Sequence, residues 1–189
     1  MTPVLMLVEN GFSCRPPELL CGIDQPMTPS PGHGWFKRRK SRHFEAYNAL
    51  AADFGAAFGI DPWLVSTYVQ HCGLVDFRAR VGLECVALNV EKMVYALREK
   101  YAEHGIEGDP YIYIKADSGT YGMGIMTAKS GADVYAMNKK TRHSMHVIKE
   151  GVHNTEVMIQ EGVKQVPPTL RASPLKRGAA PHPPSLCST

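Results

Sequence analysis

The chain has 189 residues, with 21 Lys plus Arg against 18 Asp plus Glu and a formal charge of +3. Residues 164 to 189 hold Lys164, Arg171, Lys176 and Arg177 but no acidic residue, which leaves 17 basic against 18 acidic residues upstream, a charge of −1. That balance excludes a strongly basic nucleic-acid-binding body, no apolar run approaches the roughly 18 residues of a membrane span, and the opening MTPVLMLVENG lacks the basic and long apolar regions of a secretory signal, so a cytoplasmic protein is expected.

In chain order, residues 4 to 8 are apolar and Asn10-Gly11 turns the chain, which predicts a buried strand. Pro26, Pro29, Pro31 and Gly32 make residues 24 to 36 a loop. After FKRRKSRHF, the spacing of Phe44, Tyr47, Ala51, Phe54 and Phe58 predicts an amphipathic helix packed on a core, with Ser41 as N-cap and Gly59 as stop. Asp61-Pro62 predicts a second, short helix through Cys72, ended by Gly73. A third helix is predicted from an Asn89 cap, with Val90, Met93, Val94, Leu97 and Tyr101 as its apolar face and Gly105 as its end. YIYIKA, after the Asp109-Pro110 turn, reads as a strand, with residues 125 to 127 as its return. Residues 131 to 146 are expected to be helical and 155 to 163 a strand. Six of the 14 prolines follow residue 163, so a single α+β domain over residues 1 to 163 and a disordered tail over 164 to 189 are expected.

The stretch YIYIKADSGTYGMGIM, residues 111 to 126, carries the most chemistry. Lys115 ends a strand and supplies a point charge. Gly119, Gly122 and Gly124 let backbone N–H groups approach an anion, and Ser118 and Thr120 add hydroxyl donors. That combination suits a phosphate clamp, although it is neither a Rossmann fingerprint nor a Walker A loop. A plain β-hairpin whose glycines serve turn geometry would have the same spacing.

The order of parts, a lysine-bearing strand, a glycine hairpin, a helix and then VMIQEGV, resembles the ATP-grasp arrangement. With IKEG beside it, and GWFKRRKSRHF and IDPWLV before it, the sequence is similar to the proteobacterial-type glutamate-cysteine ligases over most of residues 3 to 163. The resemblance implies the first step of glutathione synthesis, in which ATP, with Mg2+, phosphorylates the γ-carboxylate of glutamate and the amine of cysteine attacks the acyl phosphate. It implies further that Lys115 contacts phosphates, that Ser118, Gly119, Thr120, Tyr121, Gly122 and Gly124 form a lid, and that Gln160, Glu161 and Val163 line an adenine slot. The basic run Lys37, Arg38, Arg39 and Lys40, with His43, would then hold a substrate carboxylate or phosphate, for which the arginine fork is suited. Family members are longer, and their metal ligands are expected beyond residue 163. The chain is therefore expected to be a partial ligase impaired in catalysis, with β-sheet edge exposed near Val157 and Ile159.

Two other classes of function fit parts of the sequence. A non-catalytic nucleotide-binding module would keep the clamp without metal chemistry. An RNA-binding protein would use Trp35, Phe36 and the basic run at 37 to 40, but no nucleic-acid motif accompanies them, and neither a nucleic-acid nor a membrane partner is expected. His143, His146 and His153 have the spacing of a possible metal group, yet exposed or capping histidines are the expectation because no acidic residue or Cys lies at companion spacing. Five cysteines without a CxxC pair argue against a disulfide framework or a structural zinc site, and reduced, mostly buried thiols are expected. In His71-Cys72, a buried cysteine is favoured over a base and thiol pair. Arg78, Arg80 and Glu84 read equally as ion-pair partners or substrate contacts.

Overall fold

The computed structural model describes residues 4–8, 16–34, 37–118, 122–147 and 153–163. The Asn10-Gly11 turn, Trp35 and Phe36, the loop residues Gly119, Thr120 and Tyr121, and the 164 to 189 tail lie outside them.

A four-stranded antiparallel sheet packs one face on a long helix. The strands are β3 (Val69–Cys72), β4 (Ile112–Ala116), β5 (Ile125–Ala128) and β6 (Val157–Glu161), in the spatial order β3-β6-β4-β5. Side chains alternate across a strand. Ile112, Ile114 and Ala116, which pair with Glu161, Ile159 and Val157, therefore share the core face. Tyr113 and Lys115 share the opposite face with their partners Gln160 and Met158. The α+β class is as expected.

The helix on the core face is α2 (Leu83–Glu103). Leu83, Val86, Ala87, Val90, Met93, Val94, Leu97 and Tyr101 are buried along it. This is the three-and-four spacing of one helical face, and each large aliphatic side chain fully buried contributes about 1.5–3 kcal/mol of transfer free energy. The helix begins earlier than the Asn89 cap predicts. Its N-cap is Gly82 at φ 73°, a backbone state that glycine adopts without the Cβ penalty, and the apolar spacing runs unbroken back from Val90 to Leu83.

The predicted helix over 61 to 72 does not form. Asp61 does cap a turn, accepting from the Trp63 N–H at 3.0 Å, but only Pro62–Leu64 coil into a 3-10 turn. Thr67, Tyr68 and Val69 suit an extended chain better, and β3 pairs antiparallel with β6 from Val69↔Gln160 to Cys72↔Val157. This pairing also corrects the expected open edge, because β6 lies between β3 and β4 and both Val157 and Ile159 are buried. The expected single helix over 131 to 146 is two, α3 (Gly131–Tyr135) and α4 (Lys139–His146). Asn138 separates them by accepting the Thr141 N–H at 2.8 Å as a new N-cap.

Helix α1 (Lys40–Phe58) ends at Gly59, φ 64°, as predicted, but its N-cap is Arg39 and not Ser41. Nor is its aromatic stripe packed on the core: only Ala51 and Gly55 are buried, whereas Tyr47, Phe54 and Phe58 are 44, 45 and 67% exposed. Small residues permit the contact that does form. A Cβ on Gly55 would lie 2.7 Å from the Ile60 carbonyl oxygen and 2.9 Å from Pro62.

The amino-terminal strand is likewise shorter and less buried than predicted. Only β1 (Met6–Leu7) pairs, in parallel with β2 (Met27–Thr28), and Val4 and Leu7 are largely exposed. The expected loop over 24 to 36 thus contains β2 and a 3-10 turn at Pro31–His33. No helix among the described residues is long and apolar enough to cross a membrane.

Candidate functional site: a cationic cleft beside Lys115

The amino terminus of α1 docks on the end of β4 through Asp117. The Lys40 N–H donates to the Asp117 carbonyl at 3.2 Å, the Ser41 N–H to Asp117 Oδ1 at 2.7 Å, and the Ser41 hydroxyl to Oδ2 at 2.7 Å. A helix leaves its first N–H groups without intrahelical partners. Here the carbonyl and the carboxylate of Asp117 accept from two of them, and Asp117 is 1% exposed. The Lys40 ammonium donates to the Ala116 and Asp117 carbonyls at 2.6 and 3.3 Å. Burial pulls its pKa down to about 8 despite the opposing charge of Asp117, and the positive charges of Arg38 and Lys115 pull the same way.

A cleft of about 380 Å³ opens beside this junction. Lys37, Arg39, Arg42 and His71 line it together with Ser41, Asp117 and Glu156. Arg39 Nε donates to Glu156 Oε2 at 3.1 Å, and the Glu156 carbonyl accepts the Asp117 N–H at 3.0 Å. His71 Nε2 lies 3.8 Å from Asp117 Oδ2. Of the residues expected to hold an anionic substrate, Arg39 lines the cleft and Lys40 braces the strand end beneath it. His43 instead stacks on Tyr47 and meets Phe44 edge-on, and neither it nor Arg38 is among the lining residues.

Lys115 stands on the sheet face opposite the core. Its Nζ donates to Gln160 Oε1 at 2.9 Å and lies 4.8 Å from the centre of the Tyr113 ring, and burial lowers its pKa. Lys115 and Gln160, 45 residues apart, are thus brought together. Glu161, one residue on, points to the core face, where its carboxylate accepts Trp63 Nε1–H at 3.0 Å. Burial raises its pKa against that hydrogen bond and one from the Tyr68 backbone. Val163 accepts from the Tyr111 hydroxyl at 3.0 Å. Gly162 lets the chain press on Tyr111, since a Cβ there would fall 2.2 Å from that ring.

The glycine hairpin joins β4 to β5 with Lys115 opposite Ile125. Gly122 and Gly124 have φ of 73° and 62°, and the Ala116 N–H donates to the Gly124 carbonyl at 2.8 Å. Ser118 is half-buried at the near end of the loop. Gly119, Thr120 and Tyr121 lie outside the described residues.

Two groups among the described residues bring three possible metal-ligating atoms together, His71/Asp117/Glu156 and Asp61/Glu103/His104. The carboxylates of both are already engaged by side chains of the protein. Ser41 and Arg39 engage the carboxylates of the first. Lys100 Nζ sits 2.6 and 2.8 Å from the carboxylates of the second, and with the Trp63 N–H and His104 it holds Asp61 well below the usual carboxylate range. His146 is buried, contrary to expectation, with its ring 4.7 Å from that of His153 and its Nδ1 3.3 Å from Asp76 Oδ1. Arg78 and Arg80 are exposed outside the cleft.

Lys37, expected with the basic run, lines the cleft, but Asp117, Glu156, His71 and Arg42 were not predicted as parts of one site. The only sequence signal for Asp117 is its place directly after the strand that carries Lys115. Nothing in the spacing links it to Ser41.

Comparison with known proteins adds the family. A model of the glutamate-cysteine ligase family matches residues 1–172, which runs past Val163. The crystal structure of a putative γ-glutamylcysteine synthetase from Methylobacillus flagellatus KT is similar at 45% identity with a TM-score of 0.72, covering 85% of this chain. The chain spans 38% of the length of that protein. No curated protein matches.

Proposed function

The chain belongs to the glutamate-cysteine ligase family, and from that premise we propose that it carries the nucleotide-phosphate clamp of an enzyme joining the γ-carboxylate of glutamate to the amine of cysteine at the expense of ATP. The observation that carries this reading is the Lys115–Gln160 contact on the sheet face opposite the core, beside a glycine hairpin and a cleft lined by Lys37, Arg39 and Arg42. An acyl phosphate must form between two anions and be kept from water, which calls for positive charge held in place and a loop that closes. Lys115 supplies the charge to the nucleotide phosphates. Ser118 to Gly124, with Gly119, Thr120, Tyr121 and Gly122, closes as the lid, and Arg39 receives the substrate carboxylate in the cleft, while Lys40 fixes the strand end beneath it.

The hairpin followed by β6 supports an ATP-grasp-like arrangement, in which Gln160, Glu161 and Val163 border the adenine. Glu161 would contribute there through its backbone, because its side chain is turned to the core. Mg2+ does not fit the described cleft. Both of its carboxylates are engaged by Ser41 and Arg39, and two further cationic side chains, Lys37 and Arg42, face the same space. This cleft binds anionic groups and leaves the metal to other ligands.

Titration with ATP tests the clamp. Lys115→Ala removes a charge-assisted contact of about 1.5–3 kcal/mol, so affinity should fall about tenfold or more. Equal affinity would sink the assignment. Phosphate release that requires both glutamate and cysteine distinguishes a ligase from a module that only binds nucleotide.

A further inference from the structure

Cys72 ends β3 and Cys85 lies in the first turn of α2, and their sulfurs are 2.7 Å apart. That is about 0.7 Å longer than a covalent disulfide, so a small displacement would close the bond. Asn89, one turn along α2, directs its amide N–H at both sulfurs, at 3.1 and 3.5 Å. Of the described cysteines, Cys21 and Cys85 are exposed and only Cys72 is buried, which corrects the expectation of mostly buried thiols. The segment between the pair also needs holding. It contains two non-glycine residues in the left-handed region, Leu74 at φ 56° and Arg80 at φ 61°, and a single antiparallel bridge between Asp76 and Val81.

We infer that Cys72 and Cys85 are a thiol–disulfide modification site, oxidised reversibly by low-molecular-weight disulfides. The site is separate from the nucleotide cleft and does not depend on the ligase reading. Cys85 is the thiol a reagent can reach. It loses its proton to solvent and attacks one sulfur of the reagent RSSR; a bond forms to Cys85 Sγ, the reagent's S–S bond breaks, and one RS⁻ leaves. Cys72 then yields its proton to that thiolate and attacks Cys85 Sγ, and the second RS⁻ leaves and takes a proton from solvent. Two protein thiols are oxidised and one RSSR is reduced to two RSH.

Burial pushes the Cys72 thiol up to about 12, with Cys85 adding to the rise and Asn89 opposing it. Cys72 therefore acts second, and sulfur contact compensates for its small thiolate fraction. The bond would tie the end of β3 to the start of α2 across a separation of 13 residues, which constrains the unfolded chain.

The test is to treat the folded full-length chain with the neutral reagent 2-hydroxyethyl disulfide, block remaining thiols, and map peptides by mass spectrometry. The expected product is a Cys72–Cys85 cross-linked peptide pair, two hydrogens lighter than its parts, in most of the chain. It should be lost on adding dithiothreitol, accompanied by a raised thermal midpoint, retained in Cys21→Ser and absent in Cys85→Ser. The map of the unsubstituted chain decides the matter even if Cys85→Ser does not fold. Cys72 recovered in blocked form, a stable reagent adduct on Cys85, or cross-links to Cys14, Cys21 or Cys187 instead would each overturn the proposal.

Discussion

Lys40 shows how one residue can hold structure together at an electrostatic cost. Its ammonium donates to two carbonyls at the end of β4, yet burial outweighs the pull of Asp117 and its pKa falls from 10.5 to about 8. A lysine whose folded pKa lies below its unfolded value gives up its proton more readily when folded, so the unfolded state binds more protons between those values and stability rises with pH there. Lys40→Met has no such proton. The parent should therefore gain stability relative to Lys40→Met as pH rises from about 8 towards 10.5, read as the difference in urea midpoints near pH 7 and near pH 10. A difference that stays constant or changes in the opposite sense would show that Lys40 does not carry the depressed pKa. Residues of this kind differ in how legible they are. Lys115 and its glycine hairpin are contiguous, so their chemistry could be read from the chain. The Ser41–Asp117 junction and the Arg39–Glu156 pair join positions 76 and 117 residues apart, and no local pattern encodes them.

Elements were legible where one periodicity had no competitor. The α2 stripe and the β4 strand were of this kind, and both formed where their apolar patterns lie. The segment from Asp61 to Cys72 carries two signals, a helix cap at its start and extended-chain residues after it, and pairing with β6 decides for the strand beyond Leu64. The start of α2 turns on Gly82, a residue without a side-chain signal. At φ 73° it hands the chain from the Asp76–Val81 turn into the helix, and a Cβ there would meet the Leu74 carbonyl oxygen at 2.7 Å. Gly82→Ala combines the left-handed penalty of about 1–2 kcal/mol with that clash. Chemical denaturation should show a loss of about 2 kcal/mol or more, whereas Gly105→Ala, at φ 63° with no atom within 4 Å of the added Cβ, should lose only the backbone part. Equal losses at the two sites would remove the steric argument.

At the scale of the whole molecule, the two long helices are attached in different ways. Helix α2 buries eight residues between the sheet and helix α3. Helix α1 buries two, and is held mainly by polar contacts at one end and along one side: Lys40 and Ser41 to the β4 end, the Tyr47 hydroxyl to the Val65 carbonyl at 2.7 Å, and Asn48 exchanging hydrogen bonds with the Thr67 backbone at 2.8 and 3.2 Å. Net hydrogen-bond contributions are about 0.5–1.5 kcal/mol each, which a few side chains of buried apolar surface readily exceed. The exposed faces of Tyr47, Phe54 and Phe58 add little to the attachment. Opening α1 should therefore cost less free energy than opening α2. Native-state hydrogen exchange should show the amides of residues 44 to 58 exchanging through a local opening, with protection lower than at residues 86 to 101 and lost first when Ser41→Ala removes the hydroxyl from Asp117. Equal protection in the two helices, both at the level of global unfolding, would mean that α1 is held by more than these contacts.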